Sequence, residues 1–266
     1  MTPNLHLTRP APGIAQLTLS QPAKRNAINA AMWAGIPYLL NELSGERSAR
    51  VLIVTGEGAH FASGADIGEF DSLYATPEDA DEISAAIADA LDAVARFPAP
   101  TLAMIRGACV GGGAAIALAC DLRFADTTAK FAFTPAKLGL AYPFEDMARL
   151  ADAVGLANAR DLLFSARLVG AKEARALGLV NRLLSPGELE NEVMDYAESL
   201  LGLSPRSLAT TKAMFARYQG GQRKDDAATR ALFRDHFASP DFREGYAAFL
   251  AKRRPEFPPA PSDGAA

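Results

Sequence analysis

The sequence predicts an α/β fold: a spiral of strand-strand-helix turns followed by a helical C-terminal region. A pattern of apolar strand, small-residue turn and helix occurs twice, at residues 51–70 and 101–119. Repetition of one supersecondary unit suggests stacked turns sharing a core. Beyond residue 156 the chain reads as successive helices with polar caps or proline starts. The 266 residues, 49% hydrophobic and 22% charged, suffice for one large domain with an appendage.

Composition removes several functional classes. A net charge of -4, from 27 basic and 31 acidic side chains, leaves no overall electrostatic footprint for nucleic acid. Any anionic partner must be met locally. Cys109 and Cys120 stand in apolar Ala/Gly surroundings with neither CxxC spacing nor a histidine cluster, so buried free thiols and a reducing cytoplasm are expected, and no metal. Residues 1–12 show no cationic segment followed by an apolar core, and no run reaches the roughly 18 apolar residues that span a membrane. The expectation is a soluble, unexported protein.

In chain order, residues 5–9 and 14–20 alternate apolar and polar side chains around Pro10-Ala11-Pro12-Gly13, an antiparallel hairpin with His6 on its exposed side. Residues 21–27 form a turn with adjacent cations Lys24 and Arg25, either a solvated loop or a local phosphate contact. Asn29 caps a helix running to about residue 43. The β-branched run 51–55 is a buried strand. It leads into a glycine-rich segment in which Phe61 occupies the third glycine position of a dinucleotide fingerprint, and no P-loop lysine follows, so both nucleotide folds are set aside. The segment ends in Ser63-Gly64-Ala65, after which Asp66 is placed to satisfy first-turn amides. His60 has no nucleophile beside it in sequence and is assigned no chemistry.

Thr76-Pro77-Glu78-Asp79 is a helix start, and Ile83, Ile87, Leu91 and Val94 give that helix one apolar face until Pro98-Ala99-Pro100 stops it. Strand 101–105 follows. Then Gly111-Gly112-Gly113 opens an Ala-rich helix, leaving bare N–H donors at its N-terminus. By themselves these glycines fit equally an anion site or close backbone packing. Residues 121–125 and 130–133 are two further strands. Helices are expected at 156–164, 171–177, 186–201, 205–218, 227–237 and 240–252, with His236 near the end of one of them meeting its dipole. The proline-rich tail 258–266 is expected to be disordered. The division is then a core at 1–200, a C-terminal helical region at 201–257, and the tail.

Phe61-Ala62-Ser63-Gly64-Ala65-Asp66-Ile67, then Arg106-Gly107-Ala108-Cys109-Val110-Gly111-Gly112-Gly113 and Cys120-Asp121-Leu122-Arg123-Phe124-Ala125, resemble the enoyl-CoA hydratase/isomerase (crotonase) superfamily. The likeness continues through Leu138-Gly139-Leu140, residues 171–181 and residues 249–257, covering nearly the whole chain. It implies a ββα spiral, assembly as homotrimers or dimers of trimers through the 201–257 helices, and action on acyl-CoA thioesters, the coenzyme A being part of the substrate rather than a separate cofactor. The shared chemistry is stabilisation of a thioester enolate by two backbone N–H groups, which by position belong to Ala65 and Gly112. Lys24, Arg25 and Ala27 match the segment against the CoA adenosine. Ala65, Asp66, Ile67 and Gly68 match the segment along the pantetheine arm. Lys252 and Arg253 match a position that approaches the nucleotide phosphates, sometimes from a neighbouring subunit.

The departures from the family pattern concern proton transfer. Hydratases of this family use two glutamates, whose positions here hold Ala115 and Ala136. Pro143 stands where some dienoyl isomerases and dehalogenases carry an aspartate. Residues 133–142 resemble the block of methylmalonyl-CoA decarboxylases that places a tyrosine where Tyr142 stands, although those enzymes carry a histidine where this chain has Ala65. Glu145 and Asp146 are the acids that remain nearby, either as a single general acid/base, Glu145 first, or as N-terminal charge on the following helix. Three functions follow: an oxyanion-hole enzyme of hydratase or isomerase type, a decarboxylase-type lyase using Tyr142, or a catalytically silent CoA-binding protein.

Overall fold

The structure, a computed structural model, describes residues 4–46 and 48–257. The tail expected to be disordered lies outside the described residues. The first strands, β1 (Leu5–Ala11) and β2 (Ile14–Leu19), pair antiparallel around Gly13, and helix α1 (Ala30–Glu46) carries the chain to β3 (Val51–Gly56), parallel to β2. Residues 51–54 of β3 are wholly buried, as an unbroken apolar run in a parallel sheet must be.

Two helices, α2 (Phe70–Leu73) and α3 (Pro77–Ala95), precede β4 (Thr101–Ile105). Next come β5 (Ala108–Val110), α4 (Gly112–Ala119), β6 (Leu122–Asp126) and β7 (Lys130–Ala132). The chain then runs through α5 (Phe144–Val154), α6 (Leu156–Ser165), β8 (Val169–Gly170), α7 (Ala171–Ala176), β9 (Arg182–Leu184) and α8 (Leu189–Leu201). Three helices close it: α9 (Pro205–Gln219), α10 (Ala227–Asp235) and α11 (Pro240–Leu250). A six-stranded sheet has the order β1-β2-β3-β4-β6-β9, and a second of three strands the order β5-β7-β8. The two sheets are the walls of the predicted spiral, and α4 starts where the second hands the chain inward.

Caps legible in the sequence are present. Asn29 Oδ1 accepts from the Met32 amide at 2.9 Å, and Thr76 and Asp79 form a reciprocal capping box. Three elements correct the expectation. The glycine-rich stretch does not pass straight from β4 into a helix, because β5 intervenes and pairs with β7. Strands β8 and β9 also interrupt the part read as helical, and at two and three residues they are too short to show a periodicity. Helix α8 begins at Leu189 rather than 186, since Ser185 Oγ donates to Glu188 Oε2 at 2.7 Å and holds the proline-glycine pair in a turn.

Helix α4 is apolar on every side and buried. Its C-terminal end is met by a buried cation: Arg123 donates from Nη1 to the Cys120 carbonyl at 3.0 Å and to the Ala117 carbonyl at 3.5 Å, and from Nε it also reaches the Leu179 carbonyl, outside the helix, at 2.7 Å. Cys109 and Cys120 are buried and unpaired, as expected. Among the described residues no helix is long and apolar enough to cross a membrane.

Candidate functional site

The site is built from two turns that face each other. In the first, the backbone of residues 64–66 runs beside Ile28: the Ile28 amide donates to the Gly64 carbonyl at 2.7 Å, and the Asp66 amide to the Ile28 carbonyl at 2.9 Å. Alternation along an extended chain turns the intervening Ala65 N–H to the opposite side. In the second, Val110 donates to the Ala62 carbonyl at 3.0 Å and Gly111 to the Ala132 carbonyl at 2.9 Å, after which Gly111, at φ 50 and ψ -118, swings the chain into α4. That conformation is accessible to glycine alone. The next amide, Gly112 N–H, is the first of α4 and has no intrahelical partner.

These two amides meet. A Cβ built at Gly112 would lie 3.7 Å from the Ala65 nitrogen, and one built at Gly64 would lie 3.9 Å from the Gly112 nitrogen. Among the described residues neither N–H has an acceptor. The α4 dipole adds positive potential at the same point. Two unpaired amides and a helix N-terminus at one point can chemically serve an anion, while the glycine at 112 also allows the close packing.

One wall was not foreseen. Trp33, 2% exposed on α1, sets Cζ2 and Cη2 at 2.9 and 3.2 Å from where a Gly112 Cβ would be. Helix α1 is held there by Glu69, whose carboxylate accepts from the Ala30 amide at 2.8 Å. The sequence signal was present but unspecific: Trp33 continues the apolar face of Ile36, Leu40 and Leu43.

Tyr142 stands behind the second turn. Its ring meets Phe133 edge-on at 6.1 Å between centroids, and its hydroxyl donates to the Gly111 carbonyl at 3.5 Å. That carbonyl belongs to the same peptide unit as the Gly112 N–H. Burial first, then the charge of Asp146, push the Tyr142 hydroxyl above the ordinary tyrosine range, so it stays protonated at neutral pH. Asp146 is itself buried, accepts from Arg149 Nη1 at 3.1 Å, and is raised mainly by burial, the nearby arginine opposing this. Arg149 also binds Asp92 of α3 at 2.8 Å. Glu145 lies outside this group: its side chain is 70% exposed and comes within 3.6 Å of Arg149 only. Ala115 is buried one turn into α4, and Ala136 is exposed in a short 3-10 turn, Pro135–Leu138. A separate open cleft is lined by Phe70, Asp71, Tyr74, Leu138 and Leu140.

The loop with two cations is stitched to the first turn. Arg25 and Asn26 are both left-handed, at φ 53 and 57, a strained pair held by the buried Asn26 amide, which donates to the carbonyls of Glu57 at 2.9 Å and His60 at 2.7 Å. Ser63 donates its amide to the Arg25 carbonyl at 3.0 Å and its hydroxyl to the Lys24 carbonyl at 2.9 Å. Lys24 Nζ binds Asp66 Oδ2 at 2.6 Å, and Asp66 also accepts from Gln21 Nε2 and the Gly68 amide, each at 3.2 Å. The Lys24 hydrogen bond, the largest cause, holds the Asp66 carboxyl below the usual range. Lys24, Arg25, Ala27, Ala65, Asp66, Ile67 and Gly68 are thereby brought together, with Ile67 exposed beside Gly68. His60 is structural, its Nδ1 accepting from the Ala108 amide at 3.1 Å. Lys252 is elsewhere, exposed just beyond α11 with φ 51, while Arg253 is taken up by Glu244.

Comparison with known proteins bears on this geometry. The family model described as enoyl-CoA hydratase/isomerase matches residues 10–259. The chain is 40% identical to an enoyl-CoA hydratase/isomerase family protein from Hyphomonas neptunium of solved structure, with TM-score 0.94 over 97% of this chain and 99% of that one. It is 32% identical over 248 residues to the crotonyl-CoA hydratase of Syntrophomonas wolfei, covering 92% of this chain and 94% of that one. It is 29% identical over 256 residues to the peroxisomal Delta(3,5)-Delta(2,4)-dienoyl-CoA isomerase of Arabidopsis thaliana, covering 92% of each.

Proposed function

The chain belongs to the enoyl-CoA hydratase/isomerase family, and we propose that it acts on an acyl-CoA thioester by holding the thioester oxygen between the N–H groups of Ala65 and Gly112 while negative charge develops there. The observation that carries this reading is the convergence of two unpaired amides at the start of a helix. Each donor aimed at a developing oxyanion is worth about 10²–10³ in kcat, because it costs no reorganisation during the reaction. The surface of Lys24, Arg25 and residues 65–68 takes the nucleotide and pantetheine parts, and the cleft by Tyr74 and Leu140 takes the acyl group.

Proton transfer distinguishes the reactions available to such a site. Hydration or double-bond migration needs a base near C2 or C3, and Ala115 and Ala136 supply none. Tyr142, held protonated beside Gly111, has a proton to give and no capacity to act as a base at neutral pH. This favours a second reading, decarboxylation of a malonyl-type thioester. There the C–CO₂ bond breaks, its electron pair forms the enolate, carbon dioxide leaves, and Tyr142 protonates C2 before regaining a proton from solvent.

Deuterium exchange at C2 of a saturated acyl-CoA, run beside turnover of enoyl- and malonyl-type thioesters, tests both. Turnover of the malonyl-type thioester alone selects the second reading. Binding of CoA thioesters with neither exchange nor turnover would sink both and leave a catalytically silent binding protein.

The active assembly is a homotrimer or a dimer of trimers. What supports it is a ladder of exposed aromatic rings along α10, the turn after it and α11, with Phe233, Phe237, Phe242 and Tyr246 in successive contact and Phe249 81% exposed. In it Lys252 reaches the phosphates of a CoA bound by a neighbour. The compartment is the cytoplasm, where the two free thiols stay reduced.

A further inference from the structure

Residues 60–62 run parallel to residues 106–110, and the hydrogen bonds between these segments join the two donor turns. Ala62 donates its amide to the Ala108 carbonyl at 2.9 Å, and its carbonyl accepts from the Val110 amide at 3.0 Å. In a continuous parallel ladder the preceding rung would join the Ala108 amide to the carbonyl of residue 60. Here the ladder slips by one residue: the Phe61 amide, rather than that of His60, donates to the Arg106 carbonyl at 2.8 Å, and the His60 carbonyl is taken by Asn26 Nδ2 at 2.7 Å. A side chain supplies the missing rung, for the Ala108 amide donates to His60 Nδ1 at 3.1 Å. A Cβ at Gly107 would overlap both Nδ1 and the Ala59 carbonyl, so glycine at 107 lets the imidazole reach this peptide. The other end of the peptide, the Gly107 carbonyl, accepts from the Lys130 amide of β7 at 2.7 Å. The 107–108 peptide is thus fixed from both sides, by the second sheet and by His60.

We propose that His60 is a positioning residue for the reaction: by holding the Ala108 amide in place of a backbone rung, its imidazole sets the separation and aim of the Ala65 and Gly112 N–H groups. This rests on the reading of those groups as an oxyanion pair. His60 acts through the short stretches of backbone that lead from it to Ala65 and from Ala108 to Gly112. Accepting at Nδ1 leaves the ring proton on Nε2. Because the carbonyl of the same residue is bound by Asn26, the loop of Lys24 and Arg25 is keyed to this point as well. Two donors serve one oxygen only while their spacing is kept, and a misplacement of about 1 Å can cost about 10²-fold in rate.

Two side-chain amides of different length separate the place of the acceptor from its presence. Asparagine sets its oxygen near where Nδ1 stands, whereas glutamine reaches the Nε2 position and leaves the Ala108 amide unmet. Butyryl-CoA labelled with ¹³C at the thioester carbonyl is bound to each protein and followed by difference infrared spectroscopy, since donors polarise the C=O bond and lower its stretching frequency. Wild type is expected to lower that frequency on binding, His60→Gln to lose most of the shift, and His60→Asn to recover it. Thioester turnover should follow the band: kcat falls about 10²-fold in His60→Gln with KM little changed, and His60→Asn regains most of the loss. A residue that only stabilised the fold would lower the thermal midpoint and leave the carbonyl band and kcat where they were, and that result in His60→Gln overturns the proposal. An unshifted band in wild type with the thioester bound instead removes the oxyanion reading, and the proposal with it.

Discussion

Trp33 and Gly112 pack so closely that position 112 admits no side chain: a Cβ there would fall 2.9 Å from Trp33 Cζ2. Overpacking of a filled core costs typically 1–3 kcal/mol, and here relief by moving the backbone displaces the donor. Gly112→Ala is expected to lower the thermal midpoint modestly and reduce thioester turnover by about 10² or more. A variant with wild-type turnover would show that the Gly112 amide does not contact the reacting oxygen.

The Lys24–Asp66 pair ties the predicted nucleotide loop to the turn holding Ala65. Asp66→Asn is expected to raise KM for CoA thioesters more than it lowers kcat, because it loosens binding before chemistry. The folded carboxyl titrates below its ordinary value, so its stabilisation is fully present above about pH 4 and is lost as pH falls through the folded pKa. Acid unfolding curves of wild type and Asp66→Asn should therefore converge at low pH; a constant gap between them would refute the linkage.

Tyr142→Phe keeps the edge contact with Phe133 and removes the hydroxyl. A drop of about 10² in kcat with an unchanged fold is the expected outcome if the hydroxyl moves a proton. Because burial raises its pKa, kcat should show no tyrosine titration near pH 10, and the stability it contributes is present up to that point and withdrawn above it. Glu145→Gln, at an exposed position, should leave stability within about 0.5 kcal/mol, and turnover measurements on both variants decide between the two residues.

Among the described residues, Arg123 is a buried cation whose guanidinium bonds only to backbone carbonyls. Arg123→Met is expected to cost about 2–4 kcal/mol by urea unfolding, since it strands the Cys120 and Leu179 carbonyls. An unaltered midpoint would mean that water replaces the guanidinium there.

Burial pushes the Cys120 thiol up to about 12 and that of Cys109 higher still. Thiol reagents at neutral pH should leave both untouched in the native protein and modify both on unfolding. Labelling of the native protein at the rate of a free thiol would show that α4 opens.

Helix starts were legible because their causes are local. Thr76 with Asp79, and Asn29 with Met32, interact across three residues, and the run 51–54 carries its burial in its composition. The small-residue turns at Ser63-Gly64-Ala65 and Gly111-Gly112 were legible for the same reason, since few residue types leave amides bare. Short strands were not. The pairing of β8 with β7 and of β9 with β6 is specified by neighbours tens of residues away rather than by their own two or three side chains.

The amino-acid sequence by itself therefore determined the spiral of units and the two small-residue turns. Tertiary structure decided what those turns are joined to: Lys24 to Asp66 across 42 positions, Trp33 against Gly112, and Asp146 rather than Glu145 drawn inside by Arg149 and Asp92. The Lys24–Asp66, Trp33–Gly112 and Arg149–Asp92 contacts join elements far apart in the chain, and no local preference of these residues encodes them.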